Sequence, residues 1–337
     1  MPTTPTELLT LKNWLTTDCL LDNFELQPLA ADASFRHYFR VLINEQSYVV
    51  MVAPPDKEDI SAFIAIAKNF LQQGIHVPKI LKYNLDQGFI LLSDLGDALY
   101  LKLLNTENVD DLYTRALAVV PKIQNCKPIL ANNQPLGLFD EKFIRFELNL
   151  FADWFLDRHL KLNITAEFKA SLESIFKILI TSALGQPSVC VHRDYHSRNL
   201  LLIDKKEVGV LDFQDAVYGP ITYDAVSLLR DAYIDWPESQ VEKWILHFHH
   251  MLRPHYQFSK EEFMRWFDLM GVQRHLKILG IFARLSYRDN KPHYLSSATD
   301  RLLHYLQKTC EKYPELNELK QLLQLNSHNK LSETGKK

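Results

Sequence analysis

Three side chains in the middle of the chain have the types and the spacing that phosphoryl transfer needs. Asp194 ends a His-Arg-Asp triplet, Asn199 comes five residues later, and Asp212 follows a short apolar run. Transfer from MgATP uses one carboxylate to orient the acceptor hydroxyl and take its proton, while an amide and a second carboxylate hold Mg²⁺ on the phosphates. We therefore expect Asp194 to act as the base, and Asn199 and Asp212 to act as metal ligands.

The flanking segments predict the elements that must position these groups. Residues 188–191 read as a buried strand that ends just before the triplet, and residues 200–203 and 208–211 read as two apolar strands joined by a polar turn. A hairpin of this kind returns Asp212 beside Asn199. An isolated Asp or Asn more often caps a helix or occupies a turn, but that alternative does not explain the triplet, the amide and the hairpin together.

The order of these motifs resembles a known family. The triplet and Asn199 match the kinase pattern H-R-D-x-x-x-x-N, and Asp212-Phe213-Gln214-Asp215 is followed by Gly219-Pro220 and Tyr223-Asp224. This arrangement is similar to the aminoglycoside phosphotransferase and choline kinase superfamily, and nothing in the chain looks like the Ala-Pro-Glu element of a protein kinase. The resemblance implies an α+β, bilobal protein-kinase-like fold with a five-stranded N-lobe sheet and a mainly helical C-lobe, and a small-molecule acceptor.

The distribution of strand and helix patterns agrees with that fold. Five short β-rich runs precede residue 97, with an amphipathic segment after the third, as in a kinase N-terminal lobe. We expect residues 1–97 to form the N-lobe with the phosphate loop and hinge, residues 98–325 to form the helical C-lobe with the catalytic and sugar sites, and residues 326–337 to be a disordered tail.

Helical patterns in the second half predict the supports of the site. One long helix is expected over residues 140–160, another over 222–233, and two successive runs over 260–270 and 271–288. Asp224 opens the second of these as a candidate cap, and we expect it to hold the metal-binding loop.

The nucleotide is expected at two places in the N-lobe. The candidate phosphate loop is Ala31–Arg36, whose small residues let backbone N–H groups approach phosphate oxygens, although it carries no G-x-G-x-x-G. Residues 93–97 are the candidate hinge, with Val50 and Leu92 against the adenine. The residues expected to bind the nucleotide are Ala33, Ser34, Phe35, Arg36, Arg40, Val50, Asp94 and Leu95.

The third strand departs from the kinase pattern. It should carry the lysine that grips the α- and β-phosphates, but the run Tyr48–Ala53 has none, and Met51 stands in that position. Arg36 or Arg40 could supply the cation from a neighbouring strand, because an arginine can bind phosphate bidentately. Both arginines could equally be surface ion-pair partners, and the missing lysine leaves room for a pseudokinase.

Further stretches narrow the resemblance. Asp-Ala-Ser-Phe-Arg at residues 32–36, the strand end Val-Met-Val-Ala-Pro-Pro, Leu-Leu-Arg-Asp at 228–231 and the run over 271–288 resemble the N-acetylmuramate/N-acetylglucosamine anomeric kinases of bacterial cell-wall recycling, with Ala31 where a glycine is expected. This resemblance implies ATP and Mg²⁺ as cofactors and an amino sugar as the acceptor. The residues expected near that acceptor are Glu147, His196, Arg198, Gln214, Asp215, Arg274 and Arg284.

For two of these residues the sequence suggests a specific ligand, and two alternative functions of the chain remain open. Arg274 and Arg284 could bind the lactyl carboxylate of muramic acid, whereas helical charges such as Glu147 more often form a solvated face. A kinase of an aminoglycoside, choline or a related amine shares every core motif. A non-catalytic nucleotide-binding module is the second rival, with Met51 as its best support.

Composition excludes several other classes. The chain has 337 residues, 47% hydrophobic content and a formal net charge of −3, which argues against a general nucleic-acid binder. Four cysteines lie far apart with no C-x-x-C pair, which is typical of reduced thiols in a cytoplasm. No signal peptide or membrane-spanning run stands out. We expect a cytoplasmic monomer without nucleic-acid or membrane partners.

Overall fold

The structure is a computed structural model that describes residues 5–29, 35–128 and 133–323. Its strands are β1 Glu25–Pro28, β2 His37–Ile43, β3 Gln46–Val52, β4 Ile80–Asn84, β5 Phe89–Ser93, β6 Gly137–Leu138, β7 Ser188–Val191, β8 Leu200–Ile203, β9 Glu207–Val210 and β10 Val217–Pro220. Its α-helices are α1 Pro5–Thr17, α2 Ile60–Gln72, α3 Tyr100–Leu103, α4 Val109–Gln124, α5 Glu141–Leu150, α6 Ala166–Leu184, α7 Tyr223–Leu229, α8 Glu238–Leu252, α9 Lys260–Arg288 and α10 Pro292–Lys312. A π-helix spans Phe151–His159, and a short 3-10 helix spans Pro314–Leu316.

The chain divides into two compact units. Among the described residues, the first unit contains everything up to Leu103, together with residues 133–135 and 199–215. The second unit contains residues 104–128, 136–198 and 216–323. The hairpin β8–β9, which carries the predicted metal ligands, therefore belongs to the first unit, while Asp194 belongs to the second.

A five-stranded antiparallel sheet is the framework of the first unit. Its strands run in the order β1-β2-β3-β5-β4. Successive side chains of a strand point to opposite faces, and one face packs on α1 through a core that includes Trp14, Val50 and Leu91. Helix α2 begins after Asp59, whose carboxylate accepts a hydrogen bond from the Ser61 amide at 2.8 Å and so caps the helix.

Helix α9 is the centre of the second unit. It is 29 residues long, and every residue from Phe267 to Gly280 is buried. A helix buried on all sides must pair its polar side chains within the protein, and Gln273, Arg274 and Lys277 all lie in this buried stretch. A three-stranded sheet in the order β6-β10-β7 completes the unit, and β7 leads directly into the His-Arg-Asp triplet.

These two units confirm the predicted α+β fold with its five-stranded sheet and mainly helical remainder. The expected tail over residues 326–337 lies outside the described residues. Within the part of the chain that the structure describes, no helix combines the length and the apolar composition needed to cross a membrane.

Three helix predictions were wrong in their extent. The expected helix over 140–160 is α-helical only to Leu150 and continues as a π-helix. At the junction Gly280 of α9 lies so close that a Cβ atom there would be 2.6 Å from the Leu150 carbonyl oxygen. The runs over 260–270 and 271–288 form one helix that continues through Gly271. Helix α7 ends at Leu229 rather than at residue 233.

Candidate active site

The hairpin β8–β9 brings the two predicted metal ligands together. Its register pairs Leu200 with Val210, and beyond the strands the Leu211 amide donates to the Asn199 carbonyl at 2.9 Å. As a result the Asn199 side-chain amide lies 3.4 Å from Oδ2 of Asp212. The spacing of these residues in the sequence predicted this meeting correctly.

The residues after Asp212 hold its carboxylate in place. Asp212 has φ of +61°, a left-handed conformation that is costly for a residue with a side chain. Phe213 is buried against α2, with ring centroids 4.7 Å from Phe63 and 5.7 Å from Phe70. Gln214 donates to Oδ1 of Asp212 at 2.7 Å. Gln214 thus lies beside the predicted metal ligand, while its contact with the acceptor stays a prediction.

Asp194 lies among cations of the second unit. Its Oδ1 is 3.8 Å from Nη1 of Arg274, and its side chain is 33% exposed. Burial alone would raise the pKa of Asp194, but the positive charges of Lys277 and Arg274 outweigh it and hold that pKa well below its usual range. The carboxylate is therefore ionised and accessible at neutral pH, as a residue that receives a proton must be.

Asp224 holds the backbone of the triplet. Its carboxylate accepts hydrogen bonds from the amides of His192 at 2.8 Å and Arg193 at 3.0 Å. The expectation that Asp224 caps its helix and holds the metal loop was wrong, because α7 begins after Thr222 and the carboxylate turns back toward β7. Complete burial raises the pKa of Asp224 to about 7, although these two amides act to lower it.

Asp231, just beyond the other end of α7, holds the far side of the same loop. Its Oδ2 accepts from both the amide and the hydroxyl of Ser197, at 3.0 and 2.5 Å, and Asp231 is 1% exposed. No role was predicted for Asp231 from the sequence. The sequence feature that could have pointed to such a role is the spacing of seven residues between Asp224 and Asp231, which puts one carboxylate near each end of the two-turn helix α7.

A buried ion cluster supports the triplet from α5 and α9. Glu147 is 2% exposed and receives Arg193 at 2.7 Å, Lys277 at 3.0 Å and Gln273 at 2.9 Å. Burial acts to raise the pKa of Glu147, but Lys277 and Arg193 lower it overall. Glu147 is therefore not part of a solvated face, and its observed contacts are with the protein. Lys277 and Gln273 were missed, since nothing in a run of helical residues marks which ones are buried.

Aromatic rings surround the predicted acceptor residues that follow Asp194. The guanidinium of Arg198 lies 4.8 Å from the ring centre of Tyr233, and the ring of His196 is 5.2 Å from the same tyrosine. Nδ1 of His196 is buried and has no hydrogen-bond partner within the described residues. Burial lowers the pKa of His196, so it is neutral and able to offer or accept one hydrogen bond.

The two predicted acceptor arginines of α9 differ in their surroundings. Arg274 is 3% exposed and donates to the Arg193 carbonyl at 2.7 Å, so it stabilises the backbone of the His-Arg-Asp triplet. Arg284 is half-buried, and its Nε has no hydrogen-bond partner in the described part of the chain. Burial and the nearby Arg288 lower the pKa of Arg284.

The predicted nucleotide residues separate into several groups. Ala33 and Ser34 lie outside the described residues. Phe35 is 57% exposed, with the Lys57 ammonium 4.9 Å from its ring centre. Asp94 receives Nε of Arg40 at 2.6 Å and the Gly96 amide at 2.8 Å. Leu95 follows it in the same loop, half-buried.

Val50 does not share a face with Leu92, which corrects the expected adenine wall. Val50 is fully buried in the core on α1, together with Leu91. Because β3 and β5 pair Val50 with Leu91 and Val49 with Leu92, alternation puts Val49 and Leu92 on the opposite face. Val49, and not Val50, therefore shares a sheet face with Leu92. The prediction chose a residue one position too far along β3.

Comparison with known proteins identifies the family to which these features belong. A family model described as "Phosphotransferase enzyme family" matches residues 25–261. The chain belongs to this phosphotransferase family. Two relatives, both named N-acetylmuramate/N-acetylglucosamine kinase, come from Pseudomonas aeruginosa, at 45% identity over 89% of this chain and 88% of the relative, and from Pseudomonas putida, at 42% identity over 88% and 87%.

Solved structures with low sequence identity to this chain share its fold. Plasmodium vivax ethanolamine kinase superposes with a TM-score of 0.64 at 12% identity, covering 89% of this chain and 87% of its own. A thermostable mutant of aminoglycoside phosphotransferase APH(4)-Ia, in a ternary complex with ADP and hygromycin B, superposes with a TM-score of 0.59 at 14% identity, covering 90% and 98%. The predicted phosphotransferase family and kinase-like fold are both confirmed.

Proposed function

We propose that the chain is an ATP-dependent kinase that phosphorylates the anomeric hydroxyl of N-acetylmuramic acid and N-acetylglucosamine. The observation that carries the proposal is its similarity, over nearly nine tenths of its length, to relatives named as kinases of these two sugars. The amine acceptors of the rival proposals have only the shared fold behind them, at 11 to 17% identity.

Asp194 is the proposed base of the reaction. Its depressed pKa keeps it ionised, and its partial exposure lets it orient the sugar hydroxyl and accept the proton that leaves as the phosphoryl group is transferred. Arg274, Asp224 and Asp231 keep the loop around it in one conformation through backbone and side-chain hydrogen bonds. These three are positioning residues.

Asn199 and Asp212 are the proposed holders of Mg²⁺. The pair offers an amide oxygen and a carboxylate, which are the ligands that Mg²⁺ prefers, and protein sites for this ion usually leave further positions to waters and phosphate oxygens. When bound, the ion would neutralise charge on the nucleotide phosphates.

Arg284 is the proposed partner of the muramic acid carboxylate. Its guanidinium is half-buried with an unpaired Nε in the described part of the chain, and burial disfavours its charge. An anionic ligand would relieve that cost through a charge-assisted hydrogen bond. N-acetylglucosamine has no lactyl group, so Arg284→Ala should lower kcat/KM for muramic acid more than for glucosamine.

Phosphorus NMR tests the reaction directly. Purified protein with MgATP and each sugar should produce a new sugar 1-phosphate signal, and Asp194→Asn should abolish it while the protein stays folded. Phosphorylation of an aminoglycoside or of choline, with neither sugar turned over, would reassign the acceptor. Nucleotide binding without turnover of any acceptor would favour a pseudokinase.

A further inference from the structure

Two arginines at or near strand β2 are candidates for the cation that the neighbouring strand β3 lacks. Met51 in β3 pairs with Tyr38 of β2, so the two side chains lie on the same face of the sheet. Arg40, two residues after Tyr38 in β2, belongs to that face as well. Arg36 precedes the strand, and its side chain interacts with that of Tyr38. Both arginines are therefore candidates for the role of the missing lysine.

Arg40 is already committed to two carboxylates. Its Nε donates to Asp94 at 2.6 Å, its Nη1 donates to Asp97 at 2.9 Å, and its Nη2 reaches both residues, at 3.4 and 2.7 Å. All three nitrogens thus serve residues 94–97. Asp97 is the largest influence that raises the pKa of Arg40. Arg40 anchors this loop to the sheet.

Arg36 pairs instead with Glu58, which lies just before helix α2. Its Nη2 is 2.5 Å from the Glu58 carboxylate, and the two side chains are only 13% and 16% exposed. Burial acts to lower the pKa of Arg36, but Tyr38, Glu58 and Asp215 raise it overall. Burial raises the pKa of Tyr38 to about 12, and the carboxylate of Asp212 adds to the effect. Arg36 is thus within the electrostatic reach of Asp215, and Tyr38 is within that of Asp212.

We propose that Arg36, oriented by Glu58, binds the nucleotide phosphates in place of the missing strand lysine. The inference rests on the proposed function, since it requires a nucleoside triphosphate as the phosphoryl donor. An arginine has five N–H donors in a planar fork, so one guanidinium can serve a carboxylate and a phosphate at once. A buried carboxylate partner fixes the direction of that fork and lowers the entropy lost on binding.

Calorimetric titration with a non-hydrolysable MgATP analogue and with adenosine tests the role. Arg36→Gln should weaken binding of the analogue by roughly 10- to 100-fold, the range expected for one hydrogen bond to a charged group. Its affinity for adenosine should stay within about 2-fold of wild type, because only the phosphates lose a partner. Arg40→Gln is the matched control, and any effect it has should be similar for both ligands. Arg36→Lys should recover part of the loss.

A double variant separates phosphate binding from simple charge balance. If Arg36 only neutralised Glu58, removing both charges in Arg36→Gln/Glu58→Gln would restore affinity for the analogue, and that result would overturn the proposal. So would an Arg36→Gln protein with unchanged affinity, or a phosphate-specific loss in Arg40→Gln. Wild-type protein that bound the analogue but phosphorylated no sugar would remove the proposed acceptor and leave the role of Arg36 intact.

Discussion

Arg274 contacts the His-Arg-Asp triplet at two points. Its Nη1 donates to the Arg193 carbonyl at 2.7 Å and lies 3.8 Å from Oδ1 of Asp194. One guanidinium therefore fixes the backbone of the His-Arg-Asp triplet and stabilises the charge of its carboxylate. Because the arginine is 3% exposed, solvent screens this interaction little. Position and charge of the proposed base depend on the same side chain.

Arg274→Gln should move the acidic limb of the kcat/KM profile to higher pH. Removing a cation makes the proton of Asp194 bind more tightly, so the depressed pKa of Asp194 rises toward its usual value near 4. The depressed pKa also contributes stability that is present above the unfolded value and lost as the pH falls through the folded one. Arg145→Gln is the control, because Arg145 pairs with Glu173 at the surface, and it should leave the limb in place. An unshifted limb in Arg274→Gln would contradict the proposed coupling.

Asp231→Asn should lower kcat by about 10-fold or more, because a displaced loop misaligns the reacting groups. The Ser197 amide and hydroxyl both depend on Oδ2 of Asp231. Ser197→Ala should share part of this loss, and the double variant should show less than the sum of the two effects. Asp235→Asn is a control from the same segment, since Asp235 pairs with Arg301 and is 60% exposed. Equal losses in Asp231→Asn and Asp235→Asn would argue against a positioning role.

Lys277→Met should lower the free energy of unfolding by about 3 kcal/mol, near the lower end for breaking a buried pair. Glu147 would keep Arg193 as a partner, which limits the loss. Urea denaturation measures the change. The double variant Lys277→Met/Glu147→Gln should lose less free energy of unfolding than the sum of the losses in the two single variants. Arg145→Met, on helix α5 with Glu147, is the control, because the exposed Arg145–Glu173 pair is worth about 0–1 kcal/mol. Similar costs in both variants would exclude a special contribution from burial.

Gly280→Ala should destabilise the protein by about 1–3 kcal/mol, the usual cost of overpacking. Its Cβ would lie 2.5 Å from the Phe151 amide nitrogen and 2.6 Å from the Leu150 carbonyl oxygen, and backbone atoms cannot move aside. Gly271→Ala on the same helix is the matched control. Its Cβ would meet only Val226 Cγ1, at 3.9 Å, so better helix propensity should leave stability unchanged or raise it by up to about 1 kcal/mol. Thermal unfolding of both variants distinguishes the two cases.

Structural features formed by residues close together in the sequence could be predicted from the sequence. Asp194, Asn199 and Asp212 are spaced along consecutive strands and turns, so alternation and turn chemistry were enough to place Asn199 beside Asp212. The five-stranded sheet followed from its own strand patterns in the same way. These features depend on neighbours in the chain, and a single sequence records neighbours directly.

Only the tertiary structure decided which charges support the site. Arg274, Lys277 and Glu147 look like ordinary helical charges in the sequence, yet packing α9 in the centre of its unit buries them and forces them to pair. Likewise, the carboxylate of Asp224 holds the triplet rather than capping its helix. Burial sets the energy of a charge, and burial depends on segments that are distant in the chain. The sequence therefore determined the proposed reacting groups, and the fold determined which residues hold them in place.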